Sequence, residues 1–181
     1  MLAILGALSC SVGVGDGSAS GSVTAPECGM ENQAFDLRPN FFAADEFEGT
    51  LSIRIQRGSD FAYLSNGITI FVADTVLEAG RLGTPIPISE LAGEPVRINL
   101  YLNKRCEVYR DDPPVNYIAV EGEIIFDAMY APDLDENQLA ISGRFENVRF
   151  VDTSRPEERF AIFSADFDFL FNRGRPAQPY L

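Results

Sequence analysis

Apolar and polar residues alternate along most of this chain, and a period of two commits it to extended strands with one buried and one wet face. Val96, Ile98, Leu100 and Leu102 alternate with Arg97, Asn99, Tyr101 and Asn103. Leu51, Ile53 and Ile55 alternate with Ser52, Arg54 and Gln56. Phe163, Ala165, Phe167, Phe169 and Phe171 alternate with Ser164, Asp166, Asp168 and Leu170. Antiparallel sheets carry this pattern, whereas strands of parallel sheets, covered on both faces, read as continuous apolar runs.

Turn signals separate the candidate strands. Arg57-Gly58-Ser59-Asp60 follows the first of them. Ser65-Asn66-Gly67 is expected to be a tight hairpin turn, since Asn-Gly supplies the positive φ such turns need. Asp111-Asp112-Pro113-Pro114 precedes a strand over Tyr117–Phe126, and residues 132–137 precede one over Leu139–Val151. Within the latter, Leu139, Ile141 and Phe145 are odd-numbered while Val148 and Phe150 are even. One extra residue near Glu146-Asn147 restores a common face, which is the signature of a β-bulge. Helical signals are confined to Thr75–Arg81 and a single turn capped by Ser89. Roughly nine strands with little helix predict an all-β fold: an antiparallel β-sandwich, with a small antiparallel β-barrel as the alternative.

Omissions from the composition exclude whole classes of chemistry. The 181 residues contain no histidine. Ser-His-Asp and Cys-His nucleophile systems and His-based proton transfer are therefore excluded, as are His-containing zinc sites. Lys104 is the only lysine, which all but removes Schiff-base and P-loop chemistry. A net charge of −13 repels nucleic-acid phosphates and anionic headgroups, so no nucleic-acid partner is expected. Hydrophobic content of 46% with 14 Phe points to a packed domain rather than a disordered acidic chain.

The stretch Leu2-Ala-Ile-Leu-Gly-Ala-Leu-Ser-Cys10 is an apolar run ending in small residues before a cysteine. It resembles the bacterial lipoprotein signal. That resemblance implies removal of residues 1–9, acylation of Cys10 and export to the cell envelope. Ser11 after the cysteine implies onward sorting to the outer membrane. Residues 10–29, rich in Gly and Ser, then read as the lipidated cysteine and a flexible tether, and residues 30–181 as a single β-domain. With Cys10 acylated, Cys28 and Cys106 remain as an even pair in an oxidising compartment, which suggests a disulfide. Such a bond would stabilise the fold by about 4 kcal/mol on a chain-entropy account.

Candidate sites are few. Asp133, Asp135 and Glu136 crowd carboxylates into a loop, a weak calcium candidate that lacks the Gly and Glu spacing of an EF-hand. Asp166 and Asp168 share the outer face of one strand, and Glu121 and Glu123 are similarly placed on another. Paired carboxylates are the machinery of glycoside hydrolysis, and equally the solvent face of any acidic sheet. Tyr63, Tyr101, Tyr109, Tyr117 and Tyr130 could stack on sugars or simply pack at core edges. The segment Asn172–Leu181, with two prolines, is expected to finish extended over the core. No catalytic residue and no cofactor is assigned. The chain is therefore expected to be a non-enzymatic envelope lipoprotein that binds a protein or glycan and is held to the membrane by its acyl chains. The alternative is a carboxylate-based glycan hydrolase or a calcium-dependent binding module.

Overall fold

Every strand pairing is antiparallel, as the alternation requires. The computed structural model describes residues 11–47, 49–58, 64–73, 81–88, 95–105, 116–129 and 140–171. In chain order these hold β1 (Ser11–Ala25), a 3-10 turn η1 (Pro26–Cys28), β2 (Met30–Leu37), β3 (Phe41–Phe47), β4 (Thr50–Gly58), β5 (Ser65–Ala73) and β6 (Ile86–Pro87). They continue with β7 (Val96–Leu102), β8 (Asn116–Glu121), β9 (Glu123–Ala128), β10 (Ala140–Val151) and β11 (Phe160–Phe171). All belong to one 11-stranded sheet.

The pairings close on themselves. β3, β4, β5, β7, β8, β10 and β11 follow one another as a meander, and β1 pairs with both β11 and β3. These eight strands form a hydrogen-bonded ring, closed between β1 and β3 by the short pairing of Ser11–Gly13 with Phe42–Ala44. The short elements sit beside the ring: β2 folds back on the C-terminal half of β1, and β6 pairs with β9. Apolar side chains point inward and fill the interior. Tyr117, Phe126, Phe150, Phe163 and Phe169 are all fully buried there. Phe126 meets Phe167 edge-on at 6.3 Å and Phe150 meets Phe163 at 6.4 Å, geometries that aromatic rings favour. Along β11 the expected alternation holds: Phe163, Ala165, Phe167 and Phe169 are buried while Asp166 and Asp168 are exposed.

The expected tether is corrected by the structure. Ser11–Ala25 is a strand that runs opposite β11 over twelve paired positions, from Gly13↔Phe171 to Thr24↔Phe160. The reason lies in its glycines. Gly15, Gly17 and Gly21 stand across from Phe169, Phe167 and Phe163. A Cβ on Gly15 would strike Phe169 and the Asp168 carbonyl, and one on Gly21 the Ile162 carbonyl. The residues that read as tether composition are thus what lets β1 lie against a strand of phenylalanines. Cys10 and residues 1–9 lie outside the described residues.

A second correction concerns Asn66-Gly67. The pair does not turn the chain but lies within β5, where Asn66 faces Arg57 and Gly67 faces Gln56. Asn66 is consumed elsewhere: its Oδ1 accepts from the backbone N–H of Lys104 at 3.0 Å and of Arg105 at 3.1 Å, holding the turn that ends β7.

The bulge expected in β10 is present. The register shifts between Phe145 and Val148, Asn147 has φ 51°, and its N–H donates to Ser164 Oγ at 3.0 Å. The strand expected over Tyr117–Phe126 is also present, but Gly122 at φ 136° breaks it into β8 and β9. The helical signals at 75–80 and Ser89 lie outside the described residues.

Candidate functional site

The two breaks in strand pairing face each other and shape the outer surface around them. Gly122 packs on Val148, the residue next to the Asn147 bulge; a Cβ on Gly122 would come within 2.6 Å of Val148 Cγ2. Bulges re-aim side chains, and here they open two clefts on either side of Gly122. The first, of about 400 Å³, is lined by Gly122, Glu123, Ile125, Arg144, Phe145 and Glu146. The second, of about 480 Å³, is lined by Val120, Glu121, Arg149, Val151, Thr153 and Pro156.

Glu121 and Glu123, which sequence pattern places on one face, are therefore divided between the two clefts. Both are exposed, and Gly122 stands between them. Two carboxylates acting on one glycosidic bond must converge on it, and this arrangement separates them. In the first cleft Arg144 is already paired with the Asp127 carboxylate. In the second, Arg149 lies opposite Glu121 in the ladder and places its guanidinium over the Phe160 ring, 5.7 Å from the centroid. Its Nε is buried and meets no acceptor among the described residues.

Asp166 and Asp168 are both exposed on the outer face of β11. Asp166 accepts from Ser18 Oγ at 2.5 Å and stands across from Arg144 on β10. Asp168 stands across from Asp16 on β1. Among the described residues no second wall encloses them, and both are exposed carboxylates.

Of the tyrosines considered for sugar stacking, Tyr117 is fully buried in the ring and Tyr101 is 4% exposed. Neither presents a face to a ligand. Burial pushes the Tyr101 phenol well above its ordinary range, opposed only in part by the Arg54 charge and a hydrogen bond with Thr69. Tyr63, Tyr109 and Tyr130 lie outside the described residues, as do the calcium candidates Asp133, Asp135 and Glu136 and the segment 172–181. Among the described residues no group of His, Cys, Asp and Glu gathers as metal ligands. Cys28 is half-buried against the core at the end of η1, and Cys106 lies outside the described residues.

The loop between β10 and β11 supplies Thr153 and Pro156 to the second cleft, and a charged network holds that loop. Arg159 Nε lies 2.6 Å from Glu27 Oε1 at the tip of the β1–β2 hairpin, and its Nη1 lies 2.8 Å from Asp152 Oδ2. Asp152 Oδ1 also accepts from the Ser154 N–H at 2.9 Å and its Oγ at 2.7 Å. Burial opposes the ionisation of Asp152, but the hydrogen bonds from Ser154 and Arg159 outweigh it and hold the carboxyl below its ordinary value. Burial also opposes the charge on Arg159, and its two carboxylate partners raise its pKa in spite of that.

Sequence pattern did not single out Arg149, Arg159, Asp152 or Glu27. The available signal was Gly122 inside a strand pattern, which marks a bulge or a close backbone approach. Comparison of the chain with protein-family models, with curated proteins and with solved structures finds no match.

Proposed function

We propose that this chain is a membrane-anchored, non-enzymatic envelope lipoprotein that recognises a partner through its outer face. The observation that carries the recognition half is the filled interior. Phenylalanines from β9, β10 and β11 occupy the space that ligand-binding strand rings keep open. Both clefts flanking Gly122 belong to the outside, and Glu121 and Glu123 are divided between them. A protein or glycan partner is met at that surface.

The anchoring half rests on Leu2–Cys10 and on where polarity sits. A strand ring embedded in hydrocarbon turns its apolar side outward. Here the outward residues include Ser52, Arg54, Arg97, Asn99, Asp166 and Asp168, and the apolar ones face in. Membrane attachment is accordingly assigned to acyl chains on Cys10, each buried methylene contributing about 0.8 kcal/mol. Because β1 begins at Ser11, such an anchor would hold the ring directly at the bilayer surface, with no spacer. A Cys28–Cys106 bond belongs to the same reading of an exported chain, and non-reducing peptide mapping of envelope-extracted protein should show the linked pair; two free thiols would remove it.

Fractionation of wild-type and Cys10→Ser protein, with intact-mass measurement of the acyl chains, tests the anchor. The substitution should release the protein from the membrane fraction and leave the domain folded. An unacylated wild type that sediments equally well would overturn the reading.

A further inference from the structure

The geometry points to the cleft beside Arg149 as a binding site for a carboxylate joined to an apolar group, as at the C-terminal residue of an apolar-ended peptide. Three observations converge on it. Arg149 Nε is buried with no acceptor among the described residues, in a chain whose net charge is −13. Among the described residues no carboxylate forms an ion pair with that guanidinium, and because the Nε–H has no surface a ligand can touch, a carboxylate ligand would accept from the outer N–H groups of the planar fork. The guanidinium is also held in place, stacked over the Phe160 ring. A fixed fork loses little freedom when it engages a ligand.

The walls set the rest of the specificity. Val120, Val151 and Pro156 give an apolar lining, and Thr153 adds a hydroxyl at the rim. A volume of about 480 Å³ accommodates a terminal residue with part of the one before it. Apolar walls around a few placed polar groups are the usual composition of a small-ligand pocket. Glu121 on the same lining disfavours a multiply charged anion such as phosphate, leaving a single carboxylate as the better match. The network of Glu27, Arg159 and Asp152 fixes the loop that carries Thr153 and Pro156, so one wall is set before any ligand arrives.

The inference deepens the outer-face reading and does not depend on Cys10, so fractionation of Cys10→Ser and the following titration fail independently. Full-length protein in detergent micelles is titrated with N-acetyl-L-leucine while the Arg149 Nε–H resonance is followed by nitrogen-edited NMR. A saturable downfield shift is expected, absent with N-acetyl-L-leucinamide and with inorganic phosphate. Arg149→Gln, which lacks that resonance and is compared with wild type by isothermal titration calorimetry, should weaken binding at least tenfold. Val120→Glu, which leaves Arg149 and its stacking in place, should do the same through charge repulsion and covers the case in which Arg149→Gln unfolds. Equal shifts from the acid and the amide, an equal response to phosphate, no saturable shift, or wild-type affinity in the folded Val120→Glu variant would each overturn the proposal.

Discussion

Tyr101 Oη donates a 2.6 Å hydrogen bond to Gln56 Oε1 across the intervening strand β5, passing over Gly67. The three residues lie in one row, Gln56↔Gly67↔Tyr101, on the outer side of the sheet. A Cβ on Gly67 would stand 2.5 Å from Tyr101 Oη and 2.6 Å from Gln56 Cβ, so only glycine admits the bridge. Gln56 is fully buried, and Phe41 in the next strand of the same row is 3% exposed. Polar groups are thus enclosed outside the ring as well as apolar groups within it.

Tyr101→Phe should therefore cost about 1–3 kcal/mol, the range for depriving a buried acceptor of its donor. For a chain of this size that is roughly 2–4 °C in Tm per kcal/mol. Gly67→Ala should cost at least as much by displacing both side chains. The phenol also predicts alkaline behaviour. Its folded pKa lies above the unfolded value near 10, so the stability it contributes is complete below about pH 10 and is lost as pH rises further. Ultraviolet titration should show at least one tyrosine that ionises only as the protein unfolds; ionisation of every tyrosine near pH 10 in the folded protein would contradict the burial.

The glycines of β1 make a sharper test. Gly21→Val places a branched side chain against the Ile162 carbonyl and should detach β1 from β11. Ser20→Val, one residue away on the exposed side opposite Ser164, should leave stability nearly unchanged or raise it slightly through β-propensity. Amide exchange along β1 and β11 separates the two outcomes, since only the first should expose both strands together.

Phe167 is 3% exposed and packs on Phe126. Phe167→Ala should lower stability by about 3–5 kcal/mol, a large part of what a domain of this size possesses. Asp166→Ala, on the exposed face of the same strand, loses only the bond from Ser18 and should stay within about 1 kcal/mol. Denaturant midpoints report both directly.

The Arg159 network predicts acid sensitivity. Asp152 has a folded pKa below its unfolded value near 4. The stability it contributes is therefore present above about pH 4 and is lost as pH falls through the lower folded value. Asp152→Asn should remove that component, flattening the acid limb of a stability profile while lowering stability at neutral pH by about 1.5–3 kcal/mol, the range for a charged hydrogen bond. An unchanged acid limb would show that the network is not what holds the β10–β11 loop.

Much of this architecture was legible from residues alone because burial imposes a period that side chains display. Phe163, Phe167 and Phe169 announce a buried face, and Arg97 and Asn99 announce a wet one. Even the slip from Phe145 to Val148 is visible, since a bulge must appear as a change of parity. β1 was not legible. At Gly15, Gly17 and Gly21 it has no side chain to carry a pattern, and the phenylalanines that require those glycines lie some 150 residues later in the chain. Asn66-Gly67 misled for a related reason: its turn chemistry serves the Lys104 N–H and the Tyr101 side chain, contacts that exist only once β5 and β7 are paired. The cleft beside Arg149 draws its walls from β8, β10 and the loop after it, and no sequence window contains them together. Which side of each strand meets water is a local property of the sequence. Which strands meet one another, and so whether Arg149 Nε meets an acceptor among the described residues, is decided by closure of the ring, because that step alone brings distant segments into contact.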